Sequence, residues 1–540
     1  MIDERNLWPL IEARAAATPD AVFLLDERGE EIRFKAFRDR CSRVAAGLAK
    51  LGVGPDERVS WQLPTWIESA VLAGALARLG AVQNPILPIY RKRELAQILG
   101  EVRPRLLVVP SVWRGFDYQA MAHAVVDEMP AAPSDQKELR FAGPATQVLV
   151  CDRALPEADR SILASAPRST FDPDALRWIL YTSGTTAAAK GALHSDASIA
   201  AGALGVSTSL AIDSDDRWAI PFPFTHISGI AMLMVLLMTG SSAIFVEQFE
   251  ESTPELFGKL GCTFAAGGTP LVVRYLASQR RNPSRRLFPR LKAAMAGAAP
   301  KPPQLHGEVR AELGGLGVVS CYGSTEVPFA SVSTIHDDDE RLARTEGRTA
   351  RSAEFRVVDE QGRPLDPGAS GEIRIRGPLV CRGYLDRRLD AEAFDADGFF
   401  RTGDLGSIDR DGYLTITGRL KDVIIRNGEN ISAKEVEDLL YVHPAIAEAA
   451  VIGLPDARTG ERGCAVVVLR PGASIDLGGL VDYCREAGLA AQKIPEQLEV
   501  LAELPHNASG KILKHELRAR LASTNRLDGA GAAAASRKGV

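Results

Sequence analysis

The chain has 540 residues, 46% hydrophobic and 25% charged, with a formal net charge of −5. Such a length exceeds what one hydrophobic core normally holds, so two or more domains are expected. The weak negative balance excludes the footprint of a nucleic-acid or anionic-membrane binder, and seven cysteines scattered without a CxxC pair argue against a zinc site or disulfide framework and for a reducing compartment.

Taken in order, the opening MIDERNLWPLIEAR is charged from its third residue and is not a basic-then-apolar leader, so a cytoplasmic protein is expected. TWIESAVLAGALARLGAVQNPI, 65–86, reads as a helix ending at Gly80 and then a short strand. RLLVVPS, TQVLVCD and LRWILYTSG are apolar runs of strand length. ISGIAMLMVLLMTGSSAIFV, 227–246, is long enough for a membrane span. Gly229 and the TGSS at 239–242 instead divide it into a buried helix, a turn and a core strand, and no integral membrane segment is expected. CTFAAGGTP continues the alternation, which over the first four hundred residues or so suggests parallel sheets covered by helices. Around 355 the texture changes to hairpin-like alternation with Gly and Pro turns. From Lys421 a small α+β unit follows, and the Ala- and Gly-rich tail 525–540 is expected to be disordered.

Four short segments carry chemistry. YTSGTTAAAKGALH, 181–194, brings a strand into a run of small hydroxyl residues and then to Lys190. Backbone amides and the hydroxyls of Thr182, Ser183, Thr185 and Thr186 suit phosphate oxygens, and Gly184 allows close approach. It is not a Walker A loop, because Ala189 and Gly191 flank the lysine where Gly and Ser or Thr are required. Read alone, the loop fits a phosphate site and a flexible turn equally well. SCYGSTEV, 320–327, offers the Tyr322 ring to a base, Thr325 to phosphate and Glu326 as a hard oxygen ligand for Mg2+, or else is a plain strand-to-turn corner. RTGDLG, 401–406, reads as a tight turn presenting Asp404 to ribose hydroxyls, and Arg419 follows in TGRLKD. LPHNASGKILKHELR, 504–518, sets Lys511 on a Gly-preceded turn before a basic helix.

In this order and at these distances, the four segments resemble the adenylate-forming superfamily of acyl-CoA synthetases, peptide-synthetase adenylation domains and luciferases, from about Trp8 to Arg520. The resemblance implies a large α/β N-terminal domain, 1–420, of doubly wound sheets plus a distorted β-barrel. It implies a small mobile α+β C-terminal domain over 421–524 as well. It implies a carboxylic acid, ATP with Mg2+, and coenzyme A as reactants. Thr182 to Lys190 would cradle the β- and γ-phosphates. Tyr322, with Gly323 and the GAAP stretch (Gly297, Ala298, Ala299), would hold adenine. Thr325 would meet the α-phosphate, Glu326 the metal, Asp404 and Arg419 the ribose, and Lys511 the carboxylate and α-phosphate during adenylation only. Lys421 would be the hinge, with Gly428 and Glu429 lining the thiol's path. His226 reads either as a gate to the acyl pocket or as a helix-start histidine packed in the core, with Gly229, Gly267 and Gly268 as further pocket wall. The family loop usually has Gly where Ala187 stands and Pro where Ala189 stands, a departure that leaves Lys190 in place.

The sequence shows no Asp placed to hold an amino group and no Gly-Gly-x-Ser carrier segment after the small domain, which favours a free-standing CoA ligase. NPILPIYRKRELAQIL, 84–99, resembles ligases of short- and medium-chain or cyclohexanecarboxylate-type acids. A medium-chain, alicyclic or aryl acid is therefore expected. Its alternatives are a luciferase-like oxygenase, an acyl-AMP ligase loading a carrier protein, or a non-catalytic nucleotide-binding relative. Monomer and homodimer both remain open.

Overall fold

A computed structural model describes residues 1–129, 146–165, 171–182, 189–297, 299, 301–427, 429–456, 458–506 and 511–521. The chain folds around two large, mainly parallel sheets. The nine-stranded one runs, from one edge, through Arg348–Thr349, Ser331–Val332, Val318–Tyr322, Ala293–Ala296, Phe264–Ala266, Arg217–Ile220, Ser242–Phe245, Val22–Asp26 and Glu31–Arg33. The six-stranded one runs through Gly191–Ser195, Leu176–Tyr181, Val82–Pro85, Arg58–Trp61, Leu106–Val109 and Gln147–Val150. The apolar runs expected to be strands are strands in both.

Side-chain alternation explains how the sheets stack. Trp218, Ile220, Ala243 and Phe245 face one core while Ala219 and Ile244 face another. In the second sheet Leu106 and Val108 share the first core with them, and Leu107 and Val109 point away. Strands buried on both faces need helices on both sides. The helices Ile67–Leu79, Asp196–Ser209 and Ile227–Thr239 fill the space between the sheets, and Lys92–Val102 and Tyr118–Asp127 cover the outer face of the second.

Ile67–Leu79 and Ile227–Thr239 stop where glycine allows it, at Gly80 (φ +70°) and Gly240 (φ +83°), the left-handed caps that most residues avoid. No helix among the described residues is long and apolar enough to cross a membrane; the 227–246 stretch is the expected helix, turn and strand.

The hairpin region forms a four-stranded antiparallel sheet, Glu354–Val358, Gly371–Arg376, Phe400–Ile408 and Leu414–Arg419. The resemblance describes this part as a distorted barrel; here its strand order is open. Its apolar face packs on Ala192 of the edge strand Gly191–Ser195 and on Val327 and Ala330, which follow the strand Val318–Tyr322, and these cover the surface that closure would otherwise bury. After the short turn Leu420–Asp422 come Val423–Arg426 and Glu429–Ser432, then the long pair Ile446–Asp456 and Gly460–Leu469 with Gln497–Val500, packed on helices Ala433–Leu440 and Leu477–Glu486. The expected disordered tail lies outside the described residues.

Arg14 fastens the first helix, Leu7–Ala17, to the middle layer. Its Nε and Nη2 donate to the carbonyls of Leu237 and Met238, each at 2.7 Å, within the last turn of Ile227–Thr239. Those carbonyls have no partner inside their own helix, and the positive charge suits the helix's negative end. Arg14→Met leaves two buried acceptors without donors and is expected to destabilise the protein by about 2–4 kcal/mol. A lowered urea midpoint by tryptophan fluorescence checks this; an unchanged midpoint would show the cap to be dispensable.

Candidate active site

Three segments converge on one carboxylate. Asp404 is 4% exposed and lies within the strand Phe400–Ile408. Tyr322, the last residue of Val318–Tyr322, donates its hydroxyl to Asp404 Oδ2 at 2.7 Å. Arg419 stands opposite Asp404 on the neighbouring strand and brings Nε to Oδ1 at 2.7 Å. Burial, followed by the Asp404 charge, pushes the Tyr322 phenol well above its ordinary range, so it remains a donor.

The tight turn expected at RTGDLG is not a turn. Gly403 adopts φ +67° inside the strand, and the register slips against the neighbouring strand Gly371–Arg376, where Glu372 pairs with Leu405 but Arg374 with Arg401. This is a bulged strand, in which the extra residues Thr402, Gly403 and Asp404 opposite Ile373 are re-aimed without ending the pairing. Glycine and aspartate, the usual marks of a turn, here mark the irregularity.

Asp404, Arg419 and Tyr322 border a cavity of about 550 Å3 that Gly297, Ala299, Gly323, Lys421 and Lys511 also line. Burial, followed by the charges of Arg419 and Lys421, lowers the half-buried Lys511 to about 7, with Asp404 and Asp422 opposing. Lys421, in the turn Leu420–Asp422, is lowered to about 8, first by desolvation and then by Arg419. Cations crowded into a concave, partly dry space form a site that an anion relieves. Lys511 is carried on the small unit, whose helix 514–521 is held by Lys514 to Glu437 at 2.7 Å and Arg518 to Asp422 at 2.9 Å.

The 181–194 hairpin lies elsewhere on the large unit. Its strands Leu176–Tyr181 and Gly191–Ser195 pair antiparallel, and the Thr182 amide donates to the Lys190 carbonyl at 2.9 Å. Ser183, Gly184, Thr185, Thr186 and Ala187 lie outside the described residues, as do Ala298 and Gly428. The loop's stem rests on helix Lys92–Val102: Gln97 Nε2 donates to the Ala189 carbonyl at 3.1 Å, and Tyr181 donates to Glu101 Oε2 at 2.6 Å. Lys190 Nζ sits 5.4 Å from the centre of the Tyr384 ring, and Tyr384 donates to Glu326 Oε1 at 2.6 Å. His194 Nε2 donates to the Thr325 carbonyl at 2.8 Å, while its Nδ1 lies 2.9 Å from Ser198 Oγ. Burial lowers His194 to about 4, which keeps it neutral.

The remaining expected residues do not line the cavity. His226 caps helix Ile227–Thr239, its Nδ1 2.7 Å from Ser228 Oγ, and burial lowers it to about 4. Gly229 packs so closely that a Cβ would stand 2.3 Å from the Phe224 carbonyl oxygen, an approach only glycine permits. Gly267 follows the strand Phe264–Ala266, and Gly268 is the N-cap of helix Thr269–Arg281. Glu429 is exposed at the start of Glu429–Ser432. Tyr384 and His194 escaped the sequence reading. Gly383 beside an aromatic in the charged CRGYLDRR was the signal for the first, and a histidine four residues after the loop lysine was the signal for the second.

Comparison with known proteins agrees with this geometry. The sequence pattern of AMP-binding enzymes matches residues 11–385, and that of the AMP-binding enzyme C-terminal domain matches 435–511. The chain is 32% identical over 511 residues to a medium-chain fatty-acid–CoA ligase of Escherichia coli strain K12, covering 93% of this chain and 88% of that one. It is 30% identical over 529 residues to a 3-[(3aS,4S,7aS)-7a-methyl-1,5-dioxo-octahydro-1H-inden-4-yl]propanoyl:CoA ligase of Rhodococcus jostii strain RHA1, covering 96% and 99%. The crystal structure of ATP-bound MatB from Rhodopseudomonas palustris superposes with a TM-score of 0.84 at 28% identity, over 96% of this chain and 99% of that one. The chain belongs to the AMP-binding enzyme family.

The depressed Lys511 has a measurable consequence. Near pH 8 it is mostly neutral in the free protein, and a polyanion entering the cavity raises its pKa again. ATP binding near pH 8 is therefore expected to take up a proton, and its affinity to fall as pH rises above about 7. Calorimetric binding enthalpies in buffers of different ionisation enthalpy read the uptake; identical enthalpies would sink the idea.

Proposed function

We propose that the chain is an ATP-dependent acid:CoA ligase. In the first step a carboxylate oxygen of the acid attacks the α-phosphorus of ATP, the bond to the bridging oxygen breaks, and pyrophosphate leaves. In the second the sulfur of coenzyme A, having lost its proton, attacks the acyl carbonyl carbon, and AMP departs with the bonding electrons. The observation that carries this reading is the cavity in which Tyr322, Asp404 and Arg419 from the large unit meet Lys511 from the small one.

Each group suits its proposed task. Asp404, fixed by two donors, keeps acceptor capacity for ribose hydroxyls. The Tyr322 ring offers a face to adenine. Lys511, together with Arg419, supplies positive charge where negative charge develops on the α-phosphate. Thr182 to Lys190 cradles the outer phosphates, and the main chain of Thr325 is set by His194.

Among the described residues no group of three or more His, Cys, Asp or Glu side chains could hold a metal by itself. One half-buried carboxylate, Glu326, fits a Mg2+ carried mainly by phosphate oxygens and water. Bound there, the ion would offset phosphate charge.

For the second step we assign residues 1–420 to the large unit and 421–524 to the small one, with Lys421 as the pivot. Gly428 and Glu429 would then line the thiol's approach. The names of the two relatives support a medium-chain or alicyclic acid, and the apolar helix Ile227–Thr239 behind His226 supports an acid without a second charge.

A panel of medium-chain, alicyclic and aryl acids, assayed for pyrophosphate with and without coenzyme A, tests the reading. Acyl-CoA formation with at least one acid is expected; light emission, carrier-protein loading without acyl-CoA formation, or ATP binding without pyrophosphate release would each overturn it. Lys511→Ala is expected to slow adenylation by roughly 10²-fold or more while thioester formation from preformed acyl-adenylate stays near wild type. Equal loss of both half-reactions would remove Lys511 from the first step alone.

A further inference from the structure

Tyr384 has no part in the reading above, yet touches two of its members. It is 3% exposed and is fixed from several sides. Its amide donates to Asp390 Oδ1 at 2.8 Å, its backbone bridges to Ala192, and its ring lies in the apolar cluster with Val327 and Ile375. From that position its hydroxyl donates to Glu326 Oε1 at 2.6 Å, and its ring carries Lys190 Nζ at 5.4 Å. The same segment is tied through the main chain to Glu326 and to Gly191 beside Lys190: Cys381 donates to the Glu326 carbonyl and Leu385 to the Gly191 carbonyl, each at 2.8 Å.

A carboxylate at a turn has several staggered orientations of similar energy, and a charge-assisted hydrogen bond from an immobile donor selects one. This bond occupies one of the two oxygens of Glu326. An ammonium over a ring face is held weakly and from a fixed direction. One buried side chain thus couples a carboxylate and a lysine that lie 136 residues apart in sequence, at positions 326 and 190.

We propose that Tyr384 is a positioning residue for adenylation: its hydroxyl fixes the Glu326 carboxylate for the cation accompanying ATP, and its ring supports Lys190 for the phosphates. This rests on the ligase reading but acts at nucleotide binding, which requires no acid.

Calorimetric titration of ATP at a series of Mg2+ concentrations tests it, comparing wild type with Tyr384→Phe and Tyr384→Leu. The wild-type affinity is expected to strengthen with Mg2+. Tyr384→Phe keeps the ring and is expected to match wild type without Mg2+ while losing about tenfold of the Mg2+-dependent strengthening. Tyr384→Leu is expected to lose about a further threefold without Mg2+, through Lys190. Melting temperature and thioester formation from preformed acyl-adenylate should stay at wild-type values in Tyr384→Phe.

A Mg2+ response in Tyr384→Phe equal to wild type would overturn the proposal. So would an equal fall in affinity with and without Mg2+ accompanied by a lower melting temperature, which marks a packing role. Should the acid panel yield no product while the Mg2+ response still differs, the ligase reading falls and the role of Tyr384 stands.

Discussion

A buried carboxylate must be met by donors, because an unpaired charge away from water is strongly disfavoured. Asp404 meets that condition only when three separate pieces of chain are correctly assembled: the end of a strand in the nine-stranded sheet, a bulged strand in the antiparallel sheet, and its neighbour. The Tyr322 bond, at 2.7 Å, crosses from one sheet to the other and ties the carboxylate to both. Asp404, Tyr322 and Arg419 line the cavity into which Lys421 and Lys511 also reach.

What the sequence made legible depended on local physics. Gly80 and Gly240 could be read as helix ends because a left-handed cap is a property of a few consecutive residues. Strands buried on both faces appear as unbroken apolar runs, so RLLVVPS and LRWILYTSG announced themselves. Asp404 was found but misplaced in a turn, since a glycine inside a bulge and a glycine inside a turn look alike until the partner strand is known. Tyr384 and His194 were not legible. Their partners lie 58 and 131 residues away, and the local cues, Gly383 beside the one and Lys190 four residues before the other, do not say which distant groups they meet.

The alanines of the 181–194 loop can be weighed in the same way. Lys190 keeps its place beneath them through the hairpin pairing of Thr182 with Lys190 and through the donation from Gln97 to Ala189. Support of this kind comes from helix Lys92–Val102, in the same stretch that resembled a particular branch of ligases. The stem is thus braced by tertiary contacts rather than by the stiffness a proline would lend.

The crowding of cations around Lys511 bears on timing. Burial first, and then the neighbouring charge of Arg419, lowers the proton affinity of both Lys421 and Lys511, and Lys421 adds to the effect on Lys511. In the proposed cycle, ATP enters as the counter-charge that lets them coexist, and the nucleotide becomes part of what fastens the small unit to the large one. Loss of pyrophosphate then removes most of that negative charge in one event. In that cycle the fastening would weaken just when the proposed pivot at Lys421 has to turn, so the completion of one reaction would itself be the release signal for the next.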